Sequence, residues 1–449
     1  MSLAIRPASA VIVSARRGGV EIIDELADEW RDLCDVSADD HPFYRPEFIR
    51  AHIRNMIPGA KVVLVTARLD HRLQLVLPLV EELGRYGKVP LRKLRAPVDL
   101  NCGRFDAARR SGPEGDAAIR ATWNYLKDNG GWDVLQLLDT PEGSTCCRLV
   151  EEARRDGFLT FQLPETWNPV VPIPADPELL QKMPLNARLR TKLRQVKREQ
   201  QGSLNFYRIA TADRDAIDRF FDLEASGWKG RNNTAVNCGP STRQFFNELA
   251  ESAARFGYFS LYMLELKGQL IAAHFALTYH GRCYSPVVAH NENFRQFAPG
   301  HLIVSELLED CAARGIHTYD ITGKDQEWKM KWTNDRLSIR YHFLFRGPLG
   351  QLAYAMGVRV GPTVARWLPG RKATHQSPVT SLPLDQGAQE SDAGALMESL
   401  AGDVRPGKEH SLVGCYEDAV DALRPFCECT ADVFLLRKNG GRARALLAR

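Results

Sequence analysis

Apolar and polar positions along the chain predict one order of elements twice. In the first half a helix is expected over 24–35, then two strand-like runs over 61–82 that meet at Asp70-His71, with "LRKLRA" (91–96) as a third strand. A helix over 114–128, a strand over 132–138, a helix over 144–157 and a strand over 157–165 follow. The second half places helices at 212–226 and 241–256 before strands at 258–266, 269–279 and 282–290, joined by the turn pairs Lys267-Gly268 and His280-Gly281. A helix opening at Pro299-Gly300 comes next, then strands at 317–322 and 337–345. The repeat predicts an internal duplication of one α/β unit with a mixed sheet, matched by order of elements and not by residue identity.

The pattern breaks near residue 350. Residues 351–368 read as an amphipathic helix, and 374–394, rich in Ser, Pro, Gly and Gln, as a linker too polar to order itself. Residues 411–449 read as a small helix-and-strand appendage.

Composition narrows the functional classes. The 449 residues carry 59 basic and 55 acidic side chains, a formal charge of +4, which argues against bulk binding of nucleic acid or of a polyacidic substrate. Ten cysteines are scattered without a Cys-x-x-Cys pair, so they read as free thiols in a reducing compartment, with no metal expected. The N-terminus has no long apolar core, and no run approaches the roughly 20 apolar residues that span a bilayer, so the expected location is cytoplasmic.

Candidate chemistry gathers in the second half. A helix N-terminus has unpaired N–H groups and partial positive charge. Gly300 lets an anion come close to that end, while Leu302, Ile303, Leu307, Leu308 and Cys311 form the buried stripe. The plain alternative is loop punctuation. Pro286 within 282–290 marks either a sheet edge or a bulge, and a bulge turns the N–H groups of Val288 and Ala289 towards an acyl carbonyl. His274, beside small alanines, is a candidate general base or a satisfied core residue, and Asp320, at the end of its strand, a base, an acceptor-orienting group or a turn cap. Glu224 with Trp228 and Lys229 makes a second cluster, and Lys324, Lys329 and Lys331 with Trp328 and Trp332 a third. Seven basic residues over 182–202 surround an apolar seam, either as a solvated face or as a guide for a phosphate-rich donor, a nucleotide-linked sugar, an anionic membrane surface or tRNA.

The stretch "AHNENFRQFAPGHLIVSELLEDCAARGIHTYDITGKDQEWKMKW" (289–332), with "LEASGWKGR" (223–231), resembles the GNAT acetyltransferase domain of the cellulose-biosynthesis-associated, CelD-like family. That family is similar in fold to FemAB-type aminoacyltransferases, which contain two GNAT-like units. The resemblance covers about 60–350 and is strongest at 175–345. It implies a duplicated GNAT-like fold with a degenerate N-terminal unit at 1–170, a catalytic unit at 171–350, a helix and linker at 351–410 and the appendage at 411–449.

The resemblance further implies acyl transfer from acetyl-CoA or another acyl-CoA without a metal. Val288 and Ala289 would face the thioester, and Arg295, Gln296, Gly300, His301 and Leu302 the phosphates. The usual Gln/Arg-x-x-Gly-x-Gly/Ala loop is matched only by Arg295 or Gln296 and by Gly300. Asp320, His274 and Glu224 are the catalytic candidates, and Trp228, Lys229 and Lys331 the acceptor contacts, Lys331 aligning with a lysine of the family. The expected acceptor is a small molecule or glycan of envelope or exopolysaccharide synthesis, with association to membrane-bound polysaccharide machinery. The same scaffold serves aminoacyl-tRNA-dependent transfer or a non-catalytic scaffold role.

Overall fold

Three two-residue turns set the strands in place. Asp70 and His71 (φ 48° and 65°), Lys267 and Gly268 (52° and 79°), and His280 and Gly281 (45° and 73°) all take positive φ. Two consecutive left-handed residues match the twist of an antiparallel pair, so each closes a tight hairpin. The computed structural model describes residues 10–355, apart from short gaps at 39–40, 87–88, 100–101, 164, 177–178, 180–186 and 233–234, together with two strands at Val433–Asn439 and Arg442–Ala448.

The first half comprises β1 (Ile12–Gly18), α1 (Glu21–Asp24), α2 (Ala27–Cys34), α3 (Pro46–Met56), β2 (Lys61–Leu69), β3 (Arg72–Tyr86), β4 (Val89–Arg95), β5 (Ala108–Arg109), α4 (Pro113–Asn129), β6 (Val134–Pro141), α5 (Thr145–Arg155), β7 (Leu159–Gln162) and β8 (Thr166–Pro172). The second comprises α6 (Ala187–Glu199), β9 (Leu204–Ile209), α7 (Arg214–Ser226), α8 (Trp228–Arg231), α9 (Pro240–Arg255), β10 (Phe259–Leu266), β11 (Gln269–Tyr279), β12 (Arg282–His290), α10 (Pro299–Ala313), β13 (Thr318–Asp320), β14 (Arg336–Phe345) and α11 (Gly347–Tyr354). The predicted meanders, the helices flanking them and the closing strands are present, while β1, α3, β5, β8, β9 and α8 were not anticipated. The helix expected over 24–35 is found as α2 at Ala27–Cys34, preceded by the one-turn α1.

One sheet runs through both halves in the order β1-β2-β3-β4-β6-β14-β8-β13-β12-β11-β10-β9. Each end is an antiparallel meander whose inner strand pairs in parallel with the next, β4 with β6 and β12 with β13. At the centre the halves exchange strands. β14 from the second half pairs with β6 and β7, while β8 from the first pairs with β13, and β14 and β8 pair with each other. Strand pairing thus crosses the expected boundary near 170 in both directions.

Helices cover both faces. One core is continuous between the halves, with Phe48 of α3 meeting Phe245 of α9 edge-on at 5.7 Å. A second core lies under α6 and α10, where Leu193 and Val196 join Leu302, Ile303, Val304 and Leu307 against the sheet. Each fully buried aliphatic side chain of this kind contributes about 1.5–3 kcal/mol. Among the described residues no helix is long and apolar enough to cross a membrane. The helix expected over 351–368 is described only from Gly347 to Tyr354, and the linker at 374–394 lies outside the described residues, as does the appendage apart from its antiparallel strand pair.

Candidate active site

The site begins where β12 and β13 part. They pair only over Arg282–Tyr284 and Thr318–Asp320. The β11–β12 register then slips between Phe275 and Leu277, which leaves Ser285 and Pro286 in a bulge. Pro286 lacks the N–H a regular ladder needs, and of the two readings open for it, a sheet edge or a bulge, the register shows the bulge. Beyond it β12 continues alone and a wedge opens between it and the chain after β13. Lys229 Nζ reaches from α8 to Val288 O at 3.2 Å, so Val288 turns its carbonyl away from β11, and its N–H points to the same side. Ala289 differs by one residue and belongs to the ladder opposite Ala273, which removes it from the expected pair of carbonyl-facing donors.

This wedge opens into a cleft of about 780 Å³ shared by both halves. Lys229, Val288, His290, Arg295, Gly300, His301, Lys324 and Lys329 line it from the second half, with Trp228 at 49% exposure. The first half contributes Asp99, Cys102, Asp139 and Asn168, with Tyr341 of the exchanged strand. The basic groups therefore face two carboxylates across the cleft.

The N-terminus of α10 lines the cleft, as the Pro299-Gly300 pair suggested. Its detailed donor pattern is different from the expected cradle. Ala298 is left-handed (φ 53°), its N–H bonds Arg295 O at 3.1 Å, Pro299 has no N–H, and both His301 and Leu302 donate back to Ala298 O, at 2.9 and 3.0 Å. Only the Gly300 N–H remains among them for an anion. A Cβ on Gly300 would lie 3.4 Å from His290 Nδ1, so the glycine is packed close to that ring. His301 accepts from Trp332 Nε1 at 3.1 Å, and burial holds its pKa down to about 4. Leu302 is buried in the core beneath, Gln296 is exposed off the cleft lining, and Lys331 is half-exposed 3.7 Å from Glu327.

The three expected catalytic groups sit behind the cleft wall. Asp320 is fully buried, ion-paired with Arg104 from the first half and accepting from Thr322 N at 2.9 Å. Glu224 is also engaged at both oxygens, by Lys229 Nζ at 2.7 Å and Val236 N at 2.8 Å. His274 is fully buried, bonded to Ser285 Oγ and 3.3 Å from Tyr319 Oη, and burial, helped by Lys229's charge, lowers its pKa to about 3. Both carboxylates have their two oxygens occupied and the His274 ring has no exposed surface, so these residues stand at the back of the wall instead of presenting a free atom to the cleft.

The group placed to do so is Asp139. The β6–β14 register slips between Arg340 and His342, leaving Leu138 and Asp139 opposite Tyr341, and Asp139 takes φ 55°. The bulge turns its carboxyl into the cleft, where Oδ1 accepts from Tyr341 Oη at 2.7 Å. Burial raises its pKa to about 7, against that bond and the charge of Lys324. Lys329 is a second perturbed group, bonded to Thr322 O and held down to about 8 by burial despite Asp320's charge. The sequence carried a signal for Asp139, since it directly follows the strand read over 132–138 and lies near the end of β6, much as Asp320 ends β13. The signal for Tyr341 was absent because nothing local announces a strand exchange.

Fold and cleft together define a duplicated GNAT-like acyltransferase fold. Residues 186–330 match the family model described as the acetyltransferase (GNAT) domain. The crystal structure of FemX superimposes with a TM-score of 0.52 at 14% identity, over 73% of this chain and 98% of that one. The C-terminal domain of a putative lysylphosphatidylglycerol synthetase from Agrobacterium fabrum has a TM-score of 0.45 at 10% identity, covering 74% and 95%. A tandem GNAT protein from the clavulanic acid biosynthesis pathway has 0.40 at 12%, covering 74% and 98%. These likenesses concern fold alone. No curated protein matches the sequence.

Proposed function

We propose that the protein is an acyltransferase that takes an acyl group from acetyl-CoA or another acyl-CoA and passes it to an acceptor lying against the first half. The observation that carries this reading is that the β12–β13 wedge and the Asp139 carboxyl open into one cleft. The extended edge at Val288 suits an amide-bearing thioester arm, so the residues fit that part of the donor. When bound, the donor supplies a carbonyl carbon with a thiolate leaving group. Val288 N–H is placed to stabilise charge on the carbonyl oxygen. Asp139 removes the proton of the attacking amine or hydroxyl, and Tyr341 holds its carboxylate in position. With so few loop N–H groups left, Arg295 and Lys324 are the groups to meet the donor's phosphates.

An acceptor from envelope or exopolysaccharide synthesis, a cytoplasmic location, contact with membrane-bound polysaccharide machinery and kinship with the CelD-like family belong to this proposal, on the resemblance of 289–332 and 223–231. A second reading rests on a separate observation. The depleted donor set before α10, with Lys192, Arg194 and Arg198 exposed on α6, suits an aminoacyl-tRNA donor held by many phosphate contacts.

The deciding experiment is thermal unfolding with excess acetyl-CoA. Ligand at 100 times its dissociation constant adds about 2.7 kcal/mol to the folded state. A shift that is lost in Gly300→Trp supports the first reading. No shift at millimolar acetyl-CoA, with steeply salt-dependent binding of aminoacyl-tRNA, replaces it with the second.

A further inference from the structure

Behind the first-half wall of the cleft, three side chains from two elements converge. His52 projects from α3 and is fully buried, while Asp99 and Cys102, from the segment after β4, are 4% and 6% exposed and line the cleft. Cys102 N donates to Asp99 O at 3.1 Å, which holds the two residues close together. The His52 nitrogens, the Cys102 sulfur and an Asp99 carboxylate oxygen include one ligand atom from each residue, all within 4.8 Å of one another.

The His52–Asp99 contact has the spacing of two ligands and not the alignment of a hydrogen bond. Nε2 lies 3.2 Å from Asp99 Oδ1, yet neither ring nitrogen of His52 makes a hydrogen bond among the described residues. Two tetrahedral ligands at zinc's ordinary bond lengths of about 2.0–2.2 Å stand roughly 3.3–3.5 Å apart. A sulfur ligand stands roughly 3.6 Å from its neighbours, so binding draws the Cys102 thiolate inward. Charge also closes, because one carboxylate and one thiolate neutralise a dication in a buried place. The imidazole and thiolate select a borderline ion of the zinc class over magnesium or calcium. Phe245 stands edge-on to the His52 ring at 5.7 Å and keeps its outer side apolar.

We propose that His52, Asp99 and Cys102 form a three-ligand site for a zinc-class divalent ion, with its fourth position open to the cleft. That position takes water, which an oxygen or nitrogen of the acceptor can displace. The site ties α3 to the cleft wall and is independent of which acyl donor the protein uses.

The test is a Co2+ titration of chelator-treated full-length protein, read by absorbance without acyl donor or acceptor. The expected result is saturation at one equivalent, with a thiolate-to-cobalt charge-transfer band in the near ultraviolet and the intense visible bands of a tetrahedral site. Cys102→Ser, a near-isosteric change that keeps the fold, removes the charge-transfer band. A variant with Cys415, Cys427 and Cys429 all replaced by Ser retains it. The proposal is overturned if folded wild-type protein gives no thiolate band, if the band survives Cys102→Ser, or if it disappears with the three C-terminal cysteines.

Discussion

Tyr341, on a strand from the second half, donates a 2.7 Å hydrogen bond to Asp139, on a strand from the first. The bond exists because β14 crosses to pair with β6, and the bulge between them turns the carboxyl into the cleft. Neither half alone contains this pair.

Asp139→Asn is expected to lower kcat by about 10²–10⁴-fold, the usual contribution of a positioned base. The wild-type rate should rise as pH climbs through about 7, where the carboxyl loses its proton, and Asp139→Asn should abolish that limb. Tyr341→Phe removes a bond that favours the charged carboxylate, so the limb should move to higher pH. A pH–rate profile of the three proteins checks this, and an unmoved limb would exclude Asp139 as the titrating base.

Lys329, which lines the same cleft, is expected to set the other side of the profile. Its ammonium loses charge near pH 8, so a site with Asp139 ionised and Lys329 protonated is most populated between about 7 and 8. A narrow bell in kcat/KM is expected. In Lys329→Met the alkaline limb should vanish while the acidic limb stays. Activity that is flat above pH 8 in the wild type would show that the Lys329 charge is not used.

The ion pair of Arg104 with Asp320 joins the halves at a second point, with both side chains buried. Arg104→Met strands the carboxylate in the interior, where loss of one partner costs about 3–5 kcal/mol. Equilibrium denaturation should register that loss, and a change below about 1 kcal/mol would mean that Asp320 finds another partner or takes up a proton.

Acid should weaken the fold through two buried histidines. His274 and His342 keep pKa values near 3 in the folded protein because burial disfavours their charge, against about 6.5 when unfolded. The unfolded chain therefore binds more protons below pH 6.5, so stability falls as pH drops from 6.5 towards 3. Each histidine contributes about 1.4 kcal/mol per pH unit in that window. Denaturant midpoints measured from pH 7 to 4 should decline, and His342→Gln should make the decline shallower.

Much of the fold could be read locally. Asp70-His71, Lys267-Gly268 and His280-Gly281 announced their hairpins because left-handed turn residues are a property of the short segment itself. Pro286, by lacking a donor, announced a break in the ladder, an edge or a bulge, and the register shows the bulge. α3 was overlooked although Pro46 at its start and Phe48, Ile49, Ile53 and Met56 along its buried side are ordinary helix signals. The site was less legible. His274, Asp320 and Glu224 have the right chemistry for catalysis, but the burial of all three and the pairing of both carboxylates place them behind the wall.

By itself, then, the sequence determined the repeated α/β order, the turns and the opening of α10, and narrowed Pro286 to a bulge or an edge, because each depends on neighbours a few residues apart. Only the tertiary structure decided that β8 and β14 change places, that Asp139 meets Tyr341, and that His52 meets Asp99 and Cys102. Those pairings join residues some 50 to 200 positions apart along the chain. They are fixed by the sheet register and by the packing of two halves around one core, which no local pattern of residues encodes.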